Sequence, residues 1–387
     1  MQLIKKIGLH YGFFSALAGV LAGLASSLFL FLLNYVTQVR TEHAGIIWGL
    51  PLAGFVIGWI YQRYGGRNER GTALVIDEII DPRERIAIVM APLIFFSTLL
   101  THLFGGSAGR EGTAVQMGAS LSDQVARKYH VTSQERKALL LAGAGAGFGS
   151  AVGAPWAGVV FGLEMSRRGP FQITAFWQCL IASWTAWGVT QFLELPHTVY
   201  PAPHFFAFSV KGFSSVGLAS LLFGLLAWGF SKSVHQVQNL FMRKVSFSPL
   251  RPFIGGMILV GMYAWEGSYR YAGLGIPIIQ ESLYQPAELR DLFFKFVFTV
   301  LTLGSGFKGG EFIPLVFMGT VLGSSLSSWL PLSSNLLGAI GFAAVFGAAS
   351  NTPLACTLMA IELFGYPIAP YALVGCFISH LLKSRLK

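Results

Sequence analysis

The chain has 387 residues, of which 53% are hydrophobic and only 11% are Asp, Glu, Lys or Arg. Soluble globular domains carry about a quarter charged residues, so this composition excludes one and calls for an integral membrane protein. The formal net charge of +10 raises nucleic acid as a partner, yet the basic residues gather at segment ends: Lys5/Lys6, Arg127/Lys128/Arg136/Lys137, Arg167/Arg168, Arg243/Lys244/Arg251 and Lys383/Arg385/Lys387. Topology signals and lipid headgroups account for that placement. A lipid bilayer is the expected partner, and nucleic acid is not.

In chain order, windows free of Asp, Glu, Lys and Arg fall at 7–39, 44–62, 86–109, 138–163, 171–193, 212–231, 252–265, 312–361 and 363–382. Most exceed the ~20 apolar residues needed to cross a bilayer as a helix. The first is too long for the apolar core of a signal peptide, about 7–15 residues, and reads as a retained helix. Residues 7–39 and 44–62 predict two spanning helices around a polar turn at Thr41-Glu-His43. A polar patch, Arg63 to Arg70, precedes a short segment, Gly71 to Ile80, too short to span. The charges at Asp77, Glu78, Asp81, Arg83, Glu84 and Arg85 read as a solvated turn. Residues 86–104 span, and Glu111 opens a helix running to about Lys128.

That helix follows Gly105-Gly-Ser-Ala-Gly-Arg-Glu-Gly112, a glycine-rich turn holding one arginine and one glutamate in apolar surroundings. A charge at membrane depth costs roughly 3 kcal/mol or more on insertion scales and usually marks function. A glycine-rich turn feeding a helix directs free N–H groups and a partial positive charge at one spot. The Glu111 carboxylate and a small anion would compete for it. A purely structural alternative has Glu111 serving its own helix start or pairing with Arg110.

Ala138 to Glu164 predicts two helices split at Gly153-Ala-Pro155, with further helices at about 171–193 and 212–243. The second half then repeats the first. Pro155 to Glu164 matches Pro353 to Glu362, Met117-Gly118 matches Met318-Gly319, Gly109 matches Gly310, and Gly71-Thr72 pairs with Gly273-Leu274. The single transmembrane domain, 1–387, therefore divides into halves at 7–194 and 212–382. The second motif, Gly304 to Gly319, places Pro314 in the first turn of a helix, where a missing N–H costs nothing. Phe312 and Ile313 then offer backbone N–H groups at its start. Two such starts brought together would make an anion cradle.

Several residues keep structural alternatives. Glu311 has Lys308 as a salt-bridge candidate, Thr72 is suited to capping a helix, and Glu164 and Glu362 suit loop hydrogen bonds. Cys179, Cys356 and Cys376 lack paired or metal spacing and read as packing residues. His10, His102 and His380 show no metal-ligand spacing. No metal and no cofactor is expected, and no phosphate loop or nucleophile–base pair points to an enzyme.

Gly-Arg-Glu-Gly at 109–112 and Gly-Gly-Glu-Phe-Ile-Pro at 309–314 resemble the signature motifs of the CLC family of anion channels and proton-coupled antiporters. The resemblance extends from about residue 7 to 382. It implies an all-α membrane fold, a CLC-type inverted-topology repeat with broken and re-entrant helices, assembled as a homodimer with one pore per subunit. It implies that Glu111 gates the anion path and carries the proton. It also implies anion binding by Thr72, Gly109, Arg110, Gly112, Glu311, Phe312 and Ile313, with Thr72 in place of the family's serine.

Within the family the chain looks most like the bacterial fluoride/proton antiporters. Glu111 is followed by Gly112-Thr113 where chloride members usually have a proline. Glu311 fills a place usually apolar in chloride members and acidic in fluoride ones, and Met165 stands where many chloride/proton exchangers keep an inward-facing proton-transfer glutamate. Two features depart from that branch: its usual Met or Asn is Thr72 here, and its usual Thr is Ile313. The chain also stops at Lys387, before the family's final helix with its pore tyrosine. The implied function is fluoride export in exchange for protons by a multi-pass cell-membrane protein; the alternative is a chloride channel or chloride/proton exchanger.

Overall fold

The computed structural model describes residues 2–166, 173–203 and 208–386, with side chains from Gly12 onward. The basic pair Arg167/Arg168 and the start of the 171–193 window lie outside the described residues, as do the Lys5, Lys6 and His10 side chains. The described chain is helical, and its helices fall into two series of eight. The first comprises α1 (Gln2–Glu42), α2 (Leu50–Tyr64), α3 (Thr72–Ile80), α4 (Met90–Leu103), α5 (Glu111–Lys128), α6 (Ser133–Val152), α7 (Pro155–Glu164) and α8 (Phe176–Phe192). The second comprises α9 (Val210–Lys244), α10 (Leu250–Glu266), α11 (Ile276–Tyr284), α12 (Leu289–Gly304), α13 (Phe312–Leu326), α14 (Ser334–Ser350), α15 (Pro353–Phe364) and α16 (Ala369–Arg385).

Long and short helices alternate alike in the two series, and their boundaries share chemistry. Thr132 caps α6 by accepting from Glu135 N, and Ser333 caps α14 by accepting from Leu336 N. Both helices end on a left-handed residue, Gly153 and Asn351. Two residues later a proline opens the next helix, Pro155 in α7 and Pro353 in α15, where its absent N–H has no partner to lose. Among the described residues three helical stretches are long and apolar enough to cross a membrane, Gly12–Glu42, Ala44–Tyr64 (which includes α2) and Val210–Lys244.

The chain separates into two compact units that do not follow the sequence halves. The first holds 1–34, 63–96 and 111–198; the second holds 35–62, 97–110 and 199–387. Within the first, α5 packs on α6 so closely that a Cβ on Gly118 would lie 2.1 Å from Gly143 O. Within the second, α13 packs on α14 the same way, with 2.1 Å from a Gly319 Cβ to Gly341 O. Glycine lets helix backbones meet directly, and van der Waals packing of that kind holds membrane helices together. Cys179, Cys356 and Cys376 are all buried, and no disulfide joins them.

Two sequence expectations need correction. Gly71 is the N-cap of α3 at φ +55, and its structural counterpart is Gly275, the N-cap of α11 at φ +78, two residues beyond the Gly273 match. The charged turn after α3 is not solvated as a whole. Glu78 is 1% exposed and accepts from the backbone N–H groups of Arg83 (3.1 Å) and Glu84 (3.2 Å). Arg136 at the start of α6 donates to Asp123 of α5 through Nε (2.6 Å) and Nη2 (3.0 Å), and to Glu78 through Nη1 (3.2 Å). Buried charges need such partners, because desolvation otherwise outweighs attraction. One arginine thus ties together α3, α5 and α6.

Candidate functional site

In the first unit the candidate residues stand at two helix starts. Gly71 turns the chain through a left-handed conformation, and its carbonyl accepts from Leu74 N (3.0 Å) and Val75 N (3.4 Å). Thr72 is the first residue of α3 rather than its cap, so the capping alternative does not hold. Its Oγ1 accepts from Gln116 Nε2 of α5 at 3.3 Å. Glu111 is the first residue of α5 and is 1% exposed, with Gly112 following it. The first-turn N–H groups of a helix have no intrahelical acceptor, and their partial positive charge favours an anion there.

The remaining candidates belong to the second unit. Gly109 and Gly310 exchange both backbone hydrogen bonds, 2.6 Å from Gly109 N to Gly310 O and 2.8 Å in return. A Cβ on Gly109 would sit 3.0 Å from Ile313 N, so the two glycine-rich motifs lie side by side. Arg110, Phe312 and Ile313 are buried, and Phe312 sets its ring edge-on to Phe346 at 4.6 Å. Glu311 is the N-cap of α13, makes no side-chain cap bond, and is exposed. The Lys308 ammonium stands 4.1 Å from the centre of the Tyr61 ring.

The approach to Gly109 is anchored along its length. Arg40 donates to His102 O (2.7 Å), Tyr263 to Gly105 O (2.8 Å), and Gly273 N to Gly106 O (3.1 Å). Ser107 N donates to Thr302 Oγ1 (3.1 Å), while its hydroxyl pairs with Thr299 (2.9 Å). Lys295, fully buried, donates to Gly273 O (2.7 Å) and Tyr271 O (3.2 Å). Sequence reasoning missed Arg40, Lys295, Gln116 and the Glu78–Arg136–Asp123 cluster. A lone Lys in an apolar run was the available signal for Lys295; Arg40 reads in sequence as an ordinary basic residue in the last turn of α1, and the cluster joins positions 13 to 58 residues apart.

Duplicated helix series broken by glycine and proline, with a buried carboxyl at the start of α5, define a membrane protein of the ion-transport class. The family is settled by comparison. Residues 53–384 match the family model described as voltage gated chloride channel, and the chain belongs to this CLC family. A chloride/fluoride channel protein of Pseudomonas syringae pv. tomato (strain ATCC BAA-871 / DC3000) is 41% identical over 377 residues, covering 96% of this chain and 83% of that protein. The voltage-gated ClC-type chloride channel ClcB of Salmonella typhi is 30% identical over 311 residues, covering 75% and 72%. The crystal structure of a CLC-type fluoride/proton antiporter superposes with a TM-score of 0.93 at 32% identity, covering 97% of this chain and 96% of that one. A slow cyanobacterial Cl−/H+ antiporter, 20% identical, shares the fold with a TM-score of 0.85, covering 97% and 94%.

Proposed function

We propose that this chain is a secondary transporter of the cell membrane, and no enzyme, that exports fluoride in exchange for protons. The observation that carries the proposal is the buried carboxyl of Glu111 at the first position of α5, in a chain 32% identical to a CLC-type fluoride/proton antiporter. As a carboxylate Glu111 occupies the helix start, where N–H groups and the helix dipole hold negative charge. Protonation removes that attraction and frees the position for an anion. Loss of the proton on the other side returns the carboxylate and expels the anion, so fluoride and proton move in opposite directions.

Thr72, Gly109, Arg110, Gly112, Glu311, Phe312 and Ile313 are proposed to line the anion's route. Fluoride is favoured over chloride because it accepts strong hydrogen bonds, and a protonated carboxyl at Glu111 or Glu311 can donate one. The protein is proposed to work as a homodimer, which crosslinking in liposomes would reveal. The decisive experiment loads liposomes with fluoride or chloride and imposes a pH gradient. Fluoride efflux well ahead of chloride, driven uphill by the proton gradient, is expected. Equal fluxes of the two ions, indifferent to pH, would replace the proposal with a passive anion channel.

A further inference from the structure

The internal repeat gives Gln116 a built-in control. In the second half the corresponding residue is Phe317, 201 positions on, as Gly118 is to Gly319. A Cβ on Gly71 would meet the Gln116 amide at 3.3 Å, and a Cβ on Gly275 would meet the Phe317 ring at 2.9 Å. Each side chain therefore packs on the left-handed glycine that starts a short helix. After that glycine comes Thr72 in α3 and Ile276 in α11. One copy of the contact is apolar, so the fold itself asks only for a filled space. The other copy carries an amide and a hydroxyl joined by a 3.3 Å hydrogen bond.

The direction of that bond has a consequence. A threonine hydroxyl has one proton to donate and lone pairs to accept with. The Gln116 amide, on a residue 6% exposed, donates to the oxygen, and no acceptor for the Thr72 proton occurs among the described residues. We propose that Gln116 is a specificity-determining positioning residue, which engages the Thr72 oxygen and turns the hydroxyl proton toward the transported anion. The proposal rests on the reading of Thr72 as part of the anion route. A fixed donor favours the small, strongly accepting fluoride over chloride; a freely rotating hydroxyl discriminates less.

The test uses the whole protein in liposomes, with initial rates of fluoride and chloride efflux measured over a range of concentrations. Gln116→Met keeps the length and removes the donor, and the apolar Phe317 contact indicates that the helices accept it. Its apparent KM for fluoride should rise about tenfold, the scale of one mis-set hydrogen bond to an ion. The maximal rate and chloride transport should move much less. Gln116→His, which restores an N–H donor, should recover part of the loss. In a Thr72→Val background, Gln116→Met should add nothing. Folding of each variant is checked by size-exclusion chromatography, and Gln116→Leu serves if the methionine variant misfolds. An unchanged fluoride KM in the folded variant, or losses that multiply in the double variant, would overturn the proposal. An inert Thr72→Val would overturn it together with the anion role of Thr72. Proton-driven fluoride efflux by the unmutated protein would still stand as a separate test of antiport.

Discussion

The chain solves one packing problem twice with different chemistry. In the first half, Ile86 N donates to Asp123 Oδ2 (2.6 Å) and Gln124 donates to Ile86 O (2.9 Å). In the second, Ala287 N donates to Ser324 Oγ (3.2 Å) and Ser325 donates to Ala287 O (2.5 Å). Every participant is displaced by 201 positions: Ile86 to Ala287, Asp123 to Ser324, Gln124 to Ser325. The same shift takes Arg136 to Leu337, and the α3-to-α11 shift takes Glu78 to Ser282, both buried. A loop is pinned to a helix in both halves, by a buried ion-pair cluster in one and by hydroxyls in the other. The backbone arrangement therefore does not require the charges, and the cluster's cohesion depends on all its members being present.

Arg136→Met leaves Asp123 and Glu78 short of their shared cation and should cost roughly 3–5 kcal/mol, the range for breaking a buried pair. Thermal unfolding in detergent would register it, and an unchanged midpoint would mean the carboxylates are held well enough by Arg85 (3.3 Å from Asp123), Arg67 (2.8 Å from Glu78) and backbone N–H groups. Transplanting the second-half residues, Glu78→Ser with Asp123→Ser and Arg136→Leu, should be much milder than Arg136→Met alone. Gly118→Ala and Gly319→Ala each force a methyl against a carbonyl and should destabilise similarly, by about 1–3 kcal/mol. Unequal losses would show that the two α-helical pairs are not packed to the same tolerance. Ser324→Ala removes two neutral hydrogen bonds, one from Ala287 N and one to Gln285 O, and should cost about 2 kcal/mol. Smallest of all, Glu311→Gln at an exposed N-cap should change stability by no more than about 0.5 kcal/mol, while proton-coupled fluoride flux falls.

Much of this arrangement was legible in the sequence. Glycine, proline and charge-free windows fixed the broken helices at Gly153-Ala-Pro155 and the start of α5 at Glu111, because these features act locally on the backbone. The duplication was legible from pairs such as Met117-Gly118 and Met318-Gly319. The pairing of Gly71 failed by two residues, since Gly273 and Gly275 both turn through positive φ and only the N-cap position of α11 singles out the latter. Glu78 was misread as solvated because its partner, Arg136, is 58 residues away and burial is a property of the packed helices. Gln116 gave no signal of its own. It became visible only beside Phe317.

Proton-coupled transport by this chain turns on the Glu111 carboxyl as the proton carrier. Glu111→Gln keeps the size of the neutral acid and cannot release a proton. Proton uptake into liposomes driven by an outward fluoride gradient should be present in the unmutated protein and absent in this variant, with any residual fluoride movement indifferent to pH. Undiminished fluoride-driven proton uptake by Glu111→Gln would contradict the account and assign the proton to another group.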